Sequence, residues 1–253
     1  MGERTSGFRA RMRSGERLVG TFLKTPAIEM VEVLSMSGLD CLCLDAEHAP
    51  FGRRDLDACL AIGRALDFPL LVRIAAGTPE AILQALDSGA VGIVVPHVDG
   101  PAKAEAVARA ARFGAGGRGY AGSTRWAGFA TRAMPDVLAQ GDETIVIAQI
   151  EEPAGVEAVD EIAATPGIDA LFVGPADLAV GYGCAMDDPR IDGAYAAVAR
   201  ACDASGAAMW TWVANEGGAR ARAAQGVTGF LTGSEHAWML AGARAAAEAV
   251  RGA

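Results

Sequence analysis

Eight short, largely apolar runs recur along the whole chain, separated by alanine-rich stretches with helical spacing. The runs cover residues 18–23, 41–45, 70–74, 92–96, 145–150, 170–173, 208–213 and 229–232. Several are continuously apolar, as strands of a parallel sheet buried on both faces should be. Between them, residues 53–66, 79–88, 102–112, 153–163 and 194–204 read as helices, and Glu235–Arg251 follows the eighth run. This alternation within 253 residues has the pattern and length of an α/β fold of the (β/α)8 (TIM) barrel type. A doubly wound open sheet would want a glycine-rich phosphate loop after its first strand, where Lys24, Thr25 and Pro26 stand instead. The pattern therefore predicts one barrel domain over residues 1–253, with 1–17 as an N-terminal arm.

Composition narrows the partners. The chain is 51% apolar but only 6% aromatic, so its core must be mostly aliphatic. A net charge of −9 argues against nucleic acid and anionic membranes, which call for a basic face. The five cysteines are scattered, without CxxC or zinc spacing, and Cys41 and Cys43 lie within an apolar strand. The first 17 residues lack the apolar stretch of a secretory signal, and no run is long enough to span a membrane. These features predict a soluble cytoplasmic protein.

A barrel of this kind gathers the carboxyl ends of its strands around one mouth. Charges directly after apolar strands are costly to bury unless they pair, bind a metal or face a solvated pocket. Here they are Asp45, Glu47 and His48 after the second strand, Arg73 at the end of the third, Glu151 (with the polar Gln149) at the fifth, and Asp177 after the sixth. Glu151 and Asp177 offer two hard oxygen ligands from adjacent strands, which suits Mg²⁺ or Mn²⁺. His48 reads as a third ligand or a base for proton transfer. A buried Arg73 needs an anion, which a substrate carboxylate or enolate would supply. Lys24 reads as an unpaired lysine reaching for solvent, although a Schiff-base amine could also stand there. The long connection 113–143 holds Gly114, Gly116, Gly117, Gly119 and Gly122 ahead of Arg125 and Trp126. It is expected at the barrel top, as a pocket wall or subunit contact.

The runs LCLDAEHAP, LLVRIAAG, LDSGAVGIVVPHV, IAQIEEPAGVE and LFVGPADLAVGYG resemble the metal-dependent (class II) pyruvate aldolases of the HpcH/HpaI type. That family includes 4-hydroxy-2-oxoheptanedioate and 2-dehydro-3-deoxyglucarate aldolases. The resemblance keeps order and spacing from about residue 20 to the end. It implies that Glu151 and Asp177 hold a divalent metal, Mg²⁺ or Mn²⁺ with Co²⁺ or Zn²⁺ as alternatives. Gln149, Asp177 and the backbone of Ala176 would touch a 2-oxo acid such as pyruvate, with an aldehyde as second substrate. His48 corresponds to the family's base, Arg73 to its transition-state stabiliser and Asp87 to the aspartate that supports the histidine. Asp87 falls at the end of the helix 79–88, toward the barrel bottom, so contact with His48 calls for a neighbouring subunit.

Phe22, the glycine-rich loop and the stretch from Gly233 to His236 depart from the family pattern, and these positions border the aldehyde side. A CoA-ester lyase of the malyl or citramalyl type shares the barrel and metal logic, but no basic CoA-binding cluster stands out. A class I aldolase acting through Lys24 and a non-catalytic barrel that binds a keto acid are further alternatives. Trp238, Met239 and Leu240 form an apolar group near the start of the last helix. Relatives in this barrel superfamily commonly exchange that helix between subunits. A closed homo-oligomer is expected, a hexamer first.

Overall fold

The computed structural model describes residues 2–252, and side-chain alternation along its strands sorts the core into two shells. The strands are β1 (Leu18–Leu23), β2 (Cys41–Asp45), β3 (Leu70–Arg73), β4 (Gly92–Val95), β5 (Ile145–Ile150), β6 (Ala170–Val173), β7 (Ala208–Val213) and β8 (Gly229–Ser234). They close in sequence order into one parallel barrel, β8 pairing with β1. In β2, Cys41 and Cys43 point into the barrel with Leu71, Val94, Ile147 and Phe172. The intervening Leu42 and Leu44 face outward into the shell of helices. That period of two lets an almost wholly apolar strand serve both shells.

The helices are α1 (Glu3–Arg13), α2 (Ile28–Ser35), α3 (Arg53–Ala65), α4 (Pro79–Asp87), α5 (Pro101–Ala110) and α6 (Met134–Asp142). After β5 come α7 (Pro153–Glu157), α8 (Val159–Ala163), α9 (Pro175–Tyr182), α10 (Pro189–Ser205), α11 (Glu216–Ala223) and α12 (Glu235–Arg251). The expected helix 153–163 is broken at Ala158, which divides it into α7 and α8. Helices α2, α6, α9 and α11 have only 8 or 9 residues, too few turns for an apolar period to stand out.

The N-terminal arm is more than a leader. Phe8 and Met12 of α1 are buried in the barrel's inner cluster, where Phe8 meets the edge of Trp210 at a centroid separation of 6.3 Å. Trp210 in turn explains Gly229, where a Cβ would lie 2.0 Å from the indole. The amino end is thus plugged by aromatic packing.

The glycine-rich connection also belongs to that end, which overturns its expected place at the barrel top. Its Trp126 N–H donates to the Asp87 carbonyl at 3.2 Å, and Arg118 pairs with the Asp87 carboxylate at 2.5 Å. Trp126 borders a small cavity with Thr5, Ser6 and Arg9 of the plugging helix. The reason is topological: helix α5 returns the chain to the strand starts, so the segment that follows lands beneath the barrel.

At the opposite end, the buried Glu235 clasps the seam between first and last strands. Its Oε1 accepts the backbone N–H groups of Lys24 and Thr25 at 2.8 and 2.7 Å. Glu235 is the only buried residue of α12. Trp238, Met239 and Leu240 are 40%, 49% and 52% exposed, so the helix leaves its own barrel with its apolar group uncovered.

Candidate active site

The register of β2 on β3 sets Asp45 beside Arg73, and the two form a buried, two-pronged ion pair. Arg73 donates from Nε at 3.0 Å and from Nη2 at 2.8 Å. Lys24 Nζ reaches the same carboxylate at 2.5 Å, and the His48 N–H donates to it at 3.1 Å. Burial alone would raise the Asp45 carboxyl, but Arg73 and Lys24 more than offset it and hold it down at about 2. Two expectations change here. The anion beside Arg73 comes from the chain itself, and Lys24 is paired rather than free. An ammonium held against a buried carboxylate is a poor nucleophile, which weighs against Schiff-base chemistry. Arg73 also lies over the Phe22 ring, 4.2 Å from its centroid.

A second group of carboxylates is less well supplied with cations, Glu47 sharing Arg73 and Glu151 having neither arginine nor lysine. Glu151 follows β5 and is 2% exposed. Its Oε1 accepts the His97 N–H at 2.7 Å, and its Oε2 accepts the Gln149 side-chain amide. Burial pushes the Glu151 carboxyl up, the bonds from Gln149 and His97 oppose this, and the negative charge of Asp177 adds to the rise. Glu47 Oε2 lies 3.3 Å from Arg73 Nε and 3.7 Å from His48 Nε2, and Glu47 Oε1 lies 3.5 Å from His97 Nε2. Glu47, His97 and Glu151 bring ligand atoms within 4.8 Å of one another.

Above these groups opens a cavity of about 330 Å³, lined among others by Phe22, Arg73, Gln149, Ala176, Asp177 and Trp212. Ala176 and Asp177 reach it because Pro175 starts α9 directly after β6, placing both in the first helical turn. Gly174 is required just before them: a Cβ there would lie 2.8 Å from the Glu151 Cβ. The His48 ring lies beside Glu47, with 57% of the side chain exposed, and is not among the residues that line the cavity. Asp87 is at the other end of the barrel, paired with Arg118, and does not meet His48 within one chain.

Sequence reasoning passed over the roles of Glu47 and His97. His97 has a left-handed backbone, φ +56°, that turns its N–H onto Glu151. Its position one residue beyond Pro96 at a strand end was the available signal.

The donor set fits a divalent cation. Asp45 takes Lys24 and, with Glu47, Arg73, while neither Glu151 nor Asp177 has a lysine or arginine partner among the described residues. Glu47 Oε2 and Gln149 Oε1 are buried without hydrogen-bond partners. Clustered hard oxygens with excess negative charge are what Mg²⁺ and Mn²⁺ bind.

Comparison with known proteins identifies the family. Residues 18–237 match the HpcH/HpaI aldolase/citrate lyase family. A hydroxypyruvate/pyruvate aldolase of Roseovarius nubinhibens is 36% identical over 74% of each chain. One of the same description from Paraburkholderia phytofirmans is 30% identical over 98% of both chains. The crystal structure of a family protein from Burkholderia cenocepacia J2315 superposes with a TM-score of 0.91 at 33% identity, covering 97% of this chain and 99% of that one. The chain belongs to the HpcH/HpaI aldolase/citrate lyase family. It is a carbon–carbon lyase of the aldolase class.

Proposed function

We propose that the protein is a divalent-metal-dependent aldolase that joins a 2-oxo acid, pyruvate or hydroxypyruvate, to an aldehyde and cleaves the 4-hydroxy-2-oxo acid product. The observation that carries this reading is one cavity lined by a fixed guanidinium, Arg73, and by Asp177 and Gln149, with the Gln149 amide bonded to the buried Glu151, and neither carboxylate having a lysine or arginine partner among the described residues. Glu151 and Asp177 would hold Mg²⁺ or Mn²⁺, with Co²⁺ or Zn²⁺ as alternatives. A bound cation supplies Lewis acidity toward the 2-oxo acid. The amide of Gln149 and the backbone at Ala176 orient the 2-oxo acid in the cavity. His48 takes a proton from the carbon next to the keto group. Arg73, locked by Asp45, faces the negative charge that develops on the enolate oxygen. The enolate carbon then bonds to the aldehyde carbonyl carbon, and the new alkoxide takes up a proton. Cleavage runs the same steps backward.

Assembly completes the proposal. The uncovered Trp238, Met239 and Leu240 on α12 support exchange of this helix within a closed homo-oligomer, a hexamer in our reading. Such an assembly would let Asp87 of one subunit serve the partner subunit's His48. The five cysteines are free, as suits a reducing compartment, and we assign the protein to the cytoplasm.

Exchange of pyruvate methyl protons into deuterated water, followed by NMR, isolates the first step. Chelation should stop both exchange and aldol turnover, and Mn²⁺ or Mg²⁺ should restore them. Exchange that persists in chelated protein would remove the metal from the reaction.

A further inference from the structure

His97 meets the carboxylates in an unusual way. Its left-handed backbone, φ +56°, directs the N–H to Glu151 Oε1 at 2.7 Å, and its Nδ1 lies 3.3 Å from that same oxygen. Nδ1 also lies 2.8 Å from Glu152 Oε1, and Nε2 faces Glu47 Oε1 at 3.5 Å. With the Nδ1 proton directed at the Glu152 carboxylate, a ring bound to a cation would present its lone pair at Nε2. Two lone-pair atoms, His97 Nε2 and Glu47 Oε1, then face each other and call for a positive charge between them. Two further acceptors take no hydrogen bond: Gln149 Oε1, on a residue 1% exposed, and Glu47 Oε2, on a side chain 9% exposed, which has only the ion-pair contact from Arg73 at 3.3 Å. A carboxylate behind one ring nitrogen, with oxygen ligands before the other, is the arrangement that orients metal-binding histidines.

We propose that His97 is a nitrogen ligand of the cation site at Glu151, with Glu47 across from it, and that it makes this site prefer Mn²⁺, Co²⁺ or Zn²⁺ over Mg²⁺. The inference rests on the reading that Glu151 holds a divalent cation. Imidazole suits transition-metal ions, whereas Mg²⁺ favours oxygen ligands and retained water. A neutral ring also adds a ligand without adding to the negative charge of Glu47, Glu151 and Asp177. Glu152 has the supporting role of fixing the ring.

The test is calorimetric titration of metal-stripped protein with Co²⁺ and, separately, Mg²⁺. His97→Asn is the informative variant, because asparagine tolerates left-handed backbone and keeps the N–H directed at Glu151. It should weaken Co²⁺ binding by at least about 10-fold, and Mg²⁺ binding by less than about threefold. Glu152→Gln, which retains the ring, should weaken Co²⁺ binding by about 10-fold. In the proton NMR spectrum of the Co²⁺ form, a strongly shifted, exchangeable Nδ1–H resonance should be present and should vanish in His97→Asn. Equal losses for both metals, or unchanged Co²⁺ affinity with no such resonance, would show an ion-paired ring and overturn the proposal. Glu151→Gln separates the two readings. If it abolishes binding while His97→Asn changes nothing, only the role of His97 falls. If it binds Co²⁺ as wild type does, the cation site itself is misplaced and both readings fall.

Discussion

At the amino end of the barrel, Asp169 is 3% exposed and sits among three arginines, with Arg9 at 2.7 Å, Arg112 at 3.6 Å and Arg13 at 3.8 Å. At the carboxyl end, Asp45 takes both Arg73 and Lys24, which leaves Glu47 sharing Arg73 and leaves Glu151 and Asp177 with no such cation. The buried carboxylates of the two ends therefore differ in their supply of cations. Burial pulls the Arg112 and Arg118 guanidiniums below the ordinary arginine value, with Asp169 and Asp87 opposing the fall, whereas burial pushes Glu151 up. The amino end also has an aromatic plug, and the carboxyl end has an open cavity. Stability and chemistry are divided between the ends, as this barrel architecture allows.

Substitutions at the two ends should separate in what they damage. The largest effect belongs to Glu151→Gln, which should lower aldol turnover by about 10³-fold or more, given the several kcal/mol a Lewis acid contributes. Steady-state kinetics with intact folding by circular dichroism checks this. His48→Ala should cost about 10²–10⁴-fold in turnover while leaving metal binding in place. Undiminished methyl-proton exchange in that variant would remove His48 from the mechanism.

Phe8→Ala, at the plugged end, should instead lose about 3–5 kcal/mol of stability in denaturant unfolding. Activity per folded molecule should be preserved, and a matching loss of turnover would blur the division between ends. The pH dependence of stability probes Asp45. Because its folded value of about 2 lies below the ordinary 3.8, the ion pair's contribution is present above about pH 4 and disappears as pH falls through about 2. The stability gap between wild type and Asp45→Asn should narrow across that window, and a constant gap would contradict the assignment. The smallest effect is expected at the partly buried Arg125–Asp57 pair, where Asp57 is half exposed and Asp57→Asn should change stability by about 1 kcal/mol.

The strands were legible because fully buried strands leave continuous apolar runs. The observed ends differ from expectation by one or two residues, as where β3 stops at Arg73 and β8 extends to Ser234. Short helices such as α2 and α9 left little periodic signal. His48, Arg73, Glu151 and Asp177 were readable as charges after strands, whereas the roles of Gln149, Ala176 and Asp87 came from the family resemblance; the structure brings Arg73, Gln149, Ala176 and Asp177 to one cavity. Partnerships were less legible. Asp45 and Arg73 meet through strand register across 28 positions, and His97 acts on Glu151 through a backbone N–H. Neither relation leaves a local motif. The glycine-rich loop was misplaced for a different reason: its residues suggested a pocket, whereas its position after a helix put it at the strand starts.

The Glu235 carboxylate, which accepts two N–H groups from the end of β1, has a mechanical consequence. It moors the root of α12 to the seam where the barrel closes, together with the His236 ring 2.9 Å from the Thr25 hydroxyl, and the free part of the helix begins beyond them. A neighbouring subunit can therefore tilt this helix to suit its own surface without prying the first and last strands apart. The Lys24 and Thr25 amides should accordingly exchange slowly with solvent deuterium whether the protein is assembled or diluted, while amides along the outer turns of α12 gain protection only on assembly.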